Sequence, residues 1–180
     1  GFDLWAMVQN GPADTLNLTF NTQPALLTAS VALWRVVKAS CPAMNVVSAA
    51  GHSLGEYSAL VAANALDFAD AVRLVKKRGE LMEAAVPAGQ GGMAAVLGLE
   101  EDQIRAVCAE ASQVAVVEPA NFNAPGQIVI AGAMAGVEKA IELAKAAGAK
   151  RALPLAVSGP FHSSLMQAAA EEFGKALAAV

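Results

Sequence analysis

The residues that could do chemistry are a serine flanked by glycines, a histidine in a Pro-Phe-His run, and an arginine beside a glycine. Gly51-His52-Ser53-Leu54-Gly55 has the Gly-x-Ser-x-Gly spacing of a nucleophile elbow, a sharp strand-to-helix turn that lifts a serine hydroxyl clear at a helix N-terminus. Glycine at positions 51 and 55 is expected to remove Cβ atoms that would collide there. Unpaired N–H groups and the partial positive charge at a helix start suit a developing oxyanion, and the N–H of Leu54 is the expected donor. The pattern alone also describes a small-residue turn ahead of a helix. A β-leaning run over 45–49 before it and an apolar-periodic run over 57–63 after it supply the context that an elbow requires.

A serine nucleophile needs a base. His52 adjoins Ser53 and faces the wrong way for in-line proton transfer, so His162 is the expected general base, held at the mouth of the following helix by its neighbours on both sides. The competing reading is a loop histidine beside a proline. For a third, orienting group, Glu118 at a strand end has the chain order of a triad acid, but it falls inside the small unit and reads rather as a solvated or turn carboxylate, and a backbone carbonyl could orient the base instead. In Lys76-Lys77-Arg78-Gly79 the lysines read as surface, while Arg78 is either surface or turned inward as a bidentate clamp for a carboxylate. Cys41 and Cys108 lack disulfide or zinc spacing and are expected as free thiols, Cys108 in a helix core. Neither a metal-ligand cluster nor a phosphate-binding glycine loop is found.

The elements that must position these residues follow from periodicity and punctuation. A helix over 1–10 ends at Asn10-Gly11-Pro12, and a long one runs from Thr22 to about Ser40, with Leu26, Leu27, Leu33, Val36 and Val37 at helical spacing. After the elbow helix, Asp67 and Asp70 are spaced as cap and third-residue carboxylate of a helix to about Val86. Pro87 to Gly92 reads as a linker. Beyond it come strand 93–97, helix 101–111, strand 114–119, strand 127–131, helix 134–147 with Gly148 past its end, and strand 150–155. That β-α-β-β-α-β order is ferredoxin-like. The expected organisation is a large α/β subdomain over 1–89, a ferredoxin-like small subdomain over 90–155, and a return to the large subdomain over 156–180. A strand at 45–49 would need sheet neighbours that no other segment supplies, so either it is not a strand or the chain is part of a longer one.

The 180 residues are 56% hydrophobic and 16% charged, enough for a generous core. No apolar run reaches 18 residues and no leader is visible, which points to a cytoplasmic protein without a membrane span. A net charge of −4 argues against nucleic acid as a partner.

Taken together, Thr22-Gln23-Pro24-Ala25-Leu26, Gly51-His52-Ser53-Leu54-Gly55-Glu56-Tyr57-Ser58-Ala59, Lys77-Arg78-Gly79, Asn121-Phe122-Asn123-Ala124-Pro125-Gly126-Gln127 and Pro160-Phe161-His162 resemble the bacterial malonyl-CoA:acyl carrier protein transacylases of the acyltransferase family. The resemblance runs across essentially the whole chain. It implies an α/β-hydrolase-like large subdomain with an inserted ferredoxin-like one, and ping-pong transfer of malonyl from coenzyme A through Ser53 to the phosphopantetheine thiol of acyl carrier protein. It makes His162 the base, Arg78 the clamp on malonyl's free carboxylate, and Asn121 and Asn123 residues near the cleft. Phe161, with Leu54, leans toward malonyl over a methyl-branched unit, a difference worth about 1–3 kcal/mol. No permanently bound cofactor is implied, and a monomer is expected. Lys76, Lys77, Lys150 and Arg151 are candidates for docking the acidic carrier protein, or plain solvated cations.

The family's glycine-rich motif, which offers a second oxyanion N–H, and its C-terminal segment, which offers a carbonyl to the histidine, have no match in this chain. The chain taken alone is therefore expected to lose roughly 10²–10³ in rate. Three other functions share some of these residues. One is the acyltransferase domain of a polyketide or fatty-acid megasynthase; another is a serine esterase, which needs a triad carboxylate and no Arg78. The third is an inactive carrier-protein-binding module.

Overall fold

The structure, a computed structural model, describes residues 3–180 and divides into two compact units: residues 3–81 with 173–180, and residues 82–172. The first unit is helical. It contains α1 (Leu4–Asn10), α2 (Ala13–Asn17), α3 (Thr19–Ser40), α4 (Gly55–Ala62) and most of α5 (Phe68–Ala84). Its core is Leu27 and Val31 of α3 against Ala71 and Val75 of α5, flanked by Leu54, Tyr57 and Val61. α3 begins three residues before Thr22 and takes Pro24 inside it. Pro24 has no N–H for the helix ladder, and side chains tie the turn down instead: Asn21 Nδ2 donates to Thr15 O at 2.9 Å and Thr22 Oγ1 to Leu16 O at 2.6 Å.

Of the apolar positions expected to recur along α3, Leu27 is buried, whereas Leu26, Leu33, Val36 and Val37 are exposed. Asp67 caps α5 as its spacing suggests, accepting from the N–H groups of Ala69 and Asp70 at 2.8 and 3.2 Å. Asp70 does not complete a capping box; its carboxylate pairs with Arg73.

The expected strand over 45–49 does not form. Residues 44–51 run without regular structure, and Val47 is 88% exposed. A strand exists through its ladder partners, and among the described residues the only sheet lies in the second unit.

The second unit holds β1 (Gly91–Leu97), α6 (Glu101–Ala111), β2 (Val117–Ala124), β3 (Gln127–Ala133), α7 (Met134–Ala146) and β4 (Arg151–Pro154). A 3₁₀ turn (Ser164–Met166) then leads into α8 (Gln167–Leu177). The strands form one antiparallel sheet in the order β2-β3-β1-β4. Alternation along each strand splits its side chains between two faces. Ala94, Val96, Val117, Ile128 and Ile130 pack with Ile104, Cys108, Val137 and Ala140 of α6 and α7. On the other face Met93, Val129 and Ala131 gather Ala95, Ala120 and Phe161.

The linker is shorter than its composition suggests, because Gly91 and Gly92 already belong to β1. β2 starts at Val117 rather than 114, because the Ser112 hydroxyl donates to Val117 O at 2.9 Å and takes its N–H at 3.3 Å, closing the preceding residues into a turn. α7 ends as expected, with Gly148 just beyond it at φ 93°. Among the described residues no helix is long and apolar enough to cross a membrane.

Candidate functional site

Ser53 stands at φ 51°, in the left-handed region that costs a non-glycine residue of order 1–3 kcal/mol. The turn around it is closed by its own backbone: Gly55 N–H donates to His52 O, Glu56 N–H to Ser53 O and Tyr57 N–H to Leu54 O, at 2.9–3.2 Å. Leu54 is the N-cap of α4, and its N–H is not one of these internal donors. Only one of the two motif glycines is needed for space. A Cβ on Gly51 would lie 1.9 Å from Gly55 C, whereas a Cβ on Gly55 would meet nothing within 4 Å. The expectation that both relieve a collision is corrected accordingly: the chain folds back onto the backbone at 55–56, so the first glycine is the one without room.

Arg78 reaches this turn from α5. Its Nη2 donates to Ser53 Oγ at 3.2 Å and its Nη1 to Gln23 Oε1 at 2.7 Å. Gly79 makes the approach possible, since a Cβ there would lie 2.4 Å from Phe20 Cα. With α5 lying against α3 at that point, the preceding residue comes within reach of Gln23. Gln23 is 4% exposed, and its Nε2 donates to Thr19 Oγ1 at 3.0 Å, which sets the carbonyl toward the guanidinium.

The Arg78 guanidinium also lies 5.8 Å from the Tyr57 ring centre. Burial lowers the arginine's pKa from its ordinary value, with Tyr57 and Glu56 acting in the opposite sense. Burial raises that of the Tyr57 phenol, offset by Arg78 and reinforced by Glu56. The result is a half-buried cation beside a hydroxyl, a pairing suited to a substrate with an anionic end and an electrophilic carbonyl.

Gln23 and Tyr57 are the residues that pattern reading passed over. Both lie in runs already quoted, but neither residue type announces a role, and only packing puts them beside Arg78. Lys76 is turned toward α3, with Nζ 4.3 Å from the Phe20 ring centre and 3.4 Å from Asn21 Oδ1, while Lys77 is exposed. A cleft of about 780 Å³ lined by Trp34, Lys38, Val47, Ser48, Gly51 and Gly55 borders the back of this turn, but neither Ser53 nor Arg78 lines it.

His162, Phe161, Asn121, Asn123 and Glu118 belong to the second unit. His162 is exposed and, like Ser53, adopts a left-handed backbone, at φ 64°. Phe161 packs on the open sheet face and Pro160 is fully buried. Asn121 pairs in register with Val129 in β2 and is half-buried, whereas Asn123 is exposed near the Pro125-Gly126 turn. Glu118 accepts the N–H of Ser164 at 2.7 Å. Lys150, just before β4, and Arg151 at its start are exposed. Cys108 is buried in the helix-covered core, where burial, with a smaller contribution from Glu118, raises its thiol to about 11; Cys41 is exposed. Among the described residues no group of His, Cys, Asp and Glu could hold a metal ion.

All 180 residues match the acyl transferase domain family. The chain is 57% identical to the malonyl CoA-acyl carrier protein transacylase of Salmonella typhimurium, over the whole of this chain and 58% of that protein. It superposes on the crystal structure of an acyl carrier protein S-malonyltransferase from Vibrio cholerae with a TM-score of 0.93 at 57% identity, covering 100% of this chain and 58% of that one. A malonyl-transacylase solved in complex with its type II polyketide acyl carrier protein matches at a TM-score of 0.95 and 54% identity, over 100% of this chain and 58% of that one. The chain thus spans a little over half the length of the relatives it matches. It belongs to the acyl transferase domain family.

Proposed function

We propose that the protein to which this chain contributes is a malonyl-CoA:acyl carrier protein transacylase of fatty acid biosynthesis, with Ser53 as its acyl carrier. The observation that carries this reading is the placement of the Arg78 guanidinium within hydrogen-bond distance of Ser53 Oγ. A serine esterase has no use for a half-buried cation beside its nucleophile. An acyltransferase for a half-thioester of a diacid needs one, because the free carboxylate must be recognised at a fixed distance from the carbonyl under attack.

In this mechanism His162 takes the Ser53 proton as Oγ attacks the malonyl thioester carbonyl. The Leu54 N–H stabilises the oxyanion, the C–S bond breaks, and His162 protonates the departing coenzyme A thiolate. The phosphopantetheine thiol of acyl carrier protein then gives its proton to His162, attacks the Ser53 ester, and leaves as the malonyl thioester while Ser53 recovers its proton. Arg78 holds the malonyl carboxylate through both half-reactions. Asn121, Asn123 and Phe161 contribute to the substrate cleft, with Phe161 disfavouring a methyl branch.

Malonyl-CoA and acyl carrier protein are the partners, no resident cofactor takes part, and the protein is read as a cytoplasmic monomer. The first unit is read as part of an α/β-hydrolase-like large subdomain, and the sheet over 90–155 as its ferredoxin-like insertion. The similarity to a transacylase bound to a type II polyketide carrier protein favours such a carrier as a second acceptor.

The test uses the full-length protein and malonyl-CoA labelled in the malonyl group. Wild type should retain label after denaturation and release it on addition of holo acyl carrier protein. Label retained equally by Ser53→Ala excludes this mechanism.

A further inference from the structure

We propose that Glu118 is a positioning residue for His162: its carboxylate fixes the segment that carries the histidine by accepting the N–H of Ser164. The proposal rests on the reading of His162 as the base, and its geometry lies wholly within the second unit.

Val117 is buried in the helix-covered layer of the sheet, so its neighbour Glu118 projects from the opposite face. That face is where Phe161 packs, against Met93, Val129 and Ala131. Gly91 of β1 leaves room for the adjoining Pro160; a Cβ there would lie 2.4 Å from Pro160 Cδ. The segment before His162 is therefore anchored by apolar contact.

The segment after it is anchored by hydrogen bonds. Ser163 is the N-cap of the 3₁₀ turn that leads into α8, and a serine at that position ordinarily caps the helix with its own hydroxyl. Here Ser163 makes no capping bond, and its hydroxyl donates to Pro160 O at 2.7 Å instead. The cap is supplied by Glu118 from 46 residues earlier in the chain, with Oε2 2.7 Å from Ser164 N. A carboxylate at a helix start also meets the positive end of the helix dipole.

His162, at φ 64°, lies between these two anchorages. A left-handed non-glycine residue persists when its surroundings over-determine it. Glu118 anchors the following segment from the sheet, and so ties the histidine's backbone to the rigid part of the unit.

The test compares Glu118→Ala, Glu118→Gln and Ser164→Pro in the full-length protein. It reads the rate of Ser53 acylation by malonyl-CoA, the KM for malonyl-CoA, the melting temperature, and the imidazole NMR signals, assigned by loss in His162→Ala and His52→Ala. Ser164→Pro removes the donor while leaving Glu118 in place, and proline is tolerated at the first position of a helix.

Glu118→Ala and Ser164→Pro should each slow acylation about 10-fold with KM unchanged, as expected for a displaced catalytic group. Each should shift or broaden the His162 signal and leave that of His52 alone. Glu118→Gln keeps an acceptor and should recover most of the rate. Wild-type acylation rates in both Glu118→Ala and Ser164→Pro, with an unmoved His162 signal, overturn the proposal. So does a loss that tracks melting temperature and moves both histidine signals alike. If wild type itself forms no acyl-enzyme, the functional reading fails instead, and the His162 signal alone then decides the positioning role.

Discussion

The guanidinium of Arg78 donates to the hydroxyl of Ser53 at 3.2 Å, although 25 residues separate them in the chain. The cation proposed to select the substrate thus sits within one hydrogen bond of the proposed nucleophile. Replacing Arg78 with alanine should lower malonyl transfer by about 10–150-fold in kcat/KM, the value of a charge-assisted hydrogen bond of about 1.5–3 kcal/mol. Acetyl transfer should hold or improve. Parallel kinetics with malonyl-CoA and acetyl-CoA in the full-length protein measure this, and equal losses for both would remove Arg78 from the role of clamp.

Gln23 holds the other arm of that guanidinium at 2.7 Å while almost wholly buried. Gln23→Glu puts a carboxylate where the amide oxygen now lies, so the arginine is neutralised from within and the substrate carboxylate must compete for it. We expect a drop of about 10-fold or more in malonyl transfer, with acetyl transfer less affected. An unchanged malonyl-to-acetyl ratio would mean that Gln23 does not set the arginine's charge or aim.

The two motif glycines should respond differently to alanine. Gly51→Ala forces a Cβ to within 1.9 Å of the Gly55 backbone and should destabilise the protein by at least about 1–3 kcal/mol, with loss of Ser53 acylation. Gly55→Ala enters open space at the start of α4 and should change stability by no more than about 0.5 kcal/mol. Denaturant midpoints of the two variants give the comparison directly.

Cys108, with its thiol raised to about 11, should resist thiol reagents at pH 8, where roughly one part in a thousand is thiolate, while exposed Cys41 reacts readily. Its effect on stability has a definite sign. A thiol whose folded pKa lies above its unfolded value of about 8.5 leaves the unfolded state with fewer protons once the pH passes that value. Stability should therefore fall as pH rises from about 8.5 to about 11, with a contribution from this group of up to about 1.4 kcal/mol per pH unit. Cys108→Ala should flatten that part of the profile. Identical slopes for variant and wild type between those limits would contradict the assignment.

Much of the second unit was legible because its signals are local. The α6 bounds over 101–111 follow from periodicity, and the Pro125-Gly126 turn separates β2 from β3 where glycine and proline punctuate the chain. Where local reading slipped, at the start of β2, a single side chain intervened: the Ser112 hydroxyl delays the strand. The expected strand over 45–49 shows the opposite limit, because its β-leaning residues lack a ladder partner among the described residues.

Ser53, Arg78 and His162 were legible as residue types in recognisable runs, since a hydroxyl, a guanidinium and an imidazole carry their chemistry in their side chains. What the linear chain left open was which way Arg78 turns, and what Glu118 is for. The tertiary structure aims Arg78 at Gln23 and Ser53 and pairs Glu118 with the Ser164 N–H. The contact of Gly79 with Phe20 brings the arginine to Gln23 and Ser53, and the alternation of β2 puts Glu118 on the face where the His162 segment lies. Residue chemistry is a property of one position, whereas aim and anchorage depend on two surfaces meeting, and no spacing along the chain encodes that until the helices and the sheet have packed.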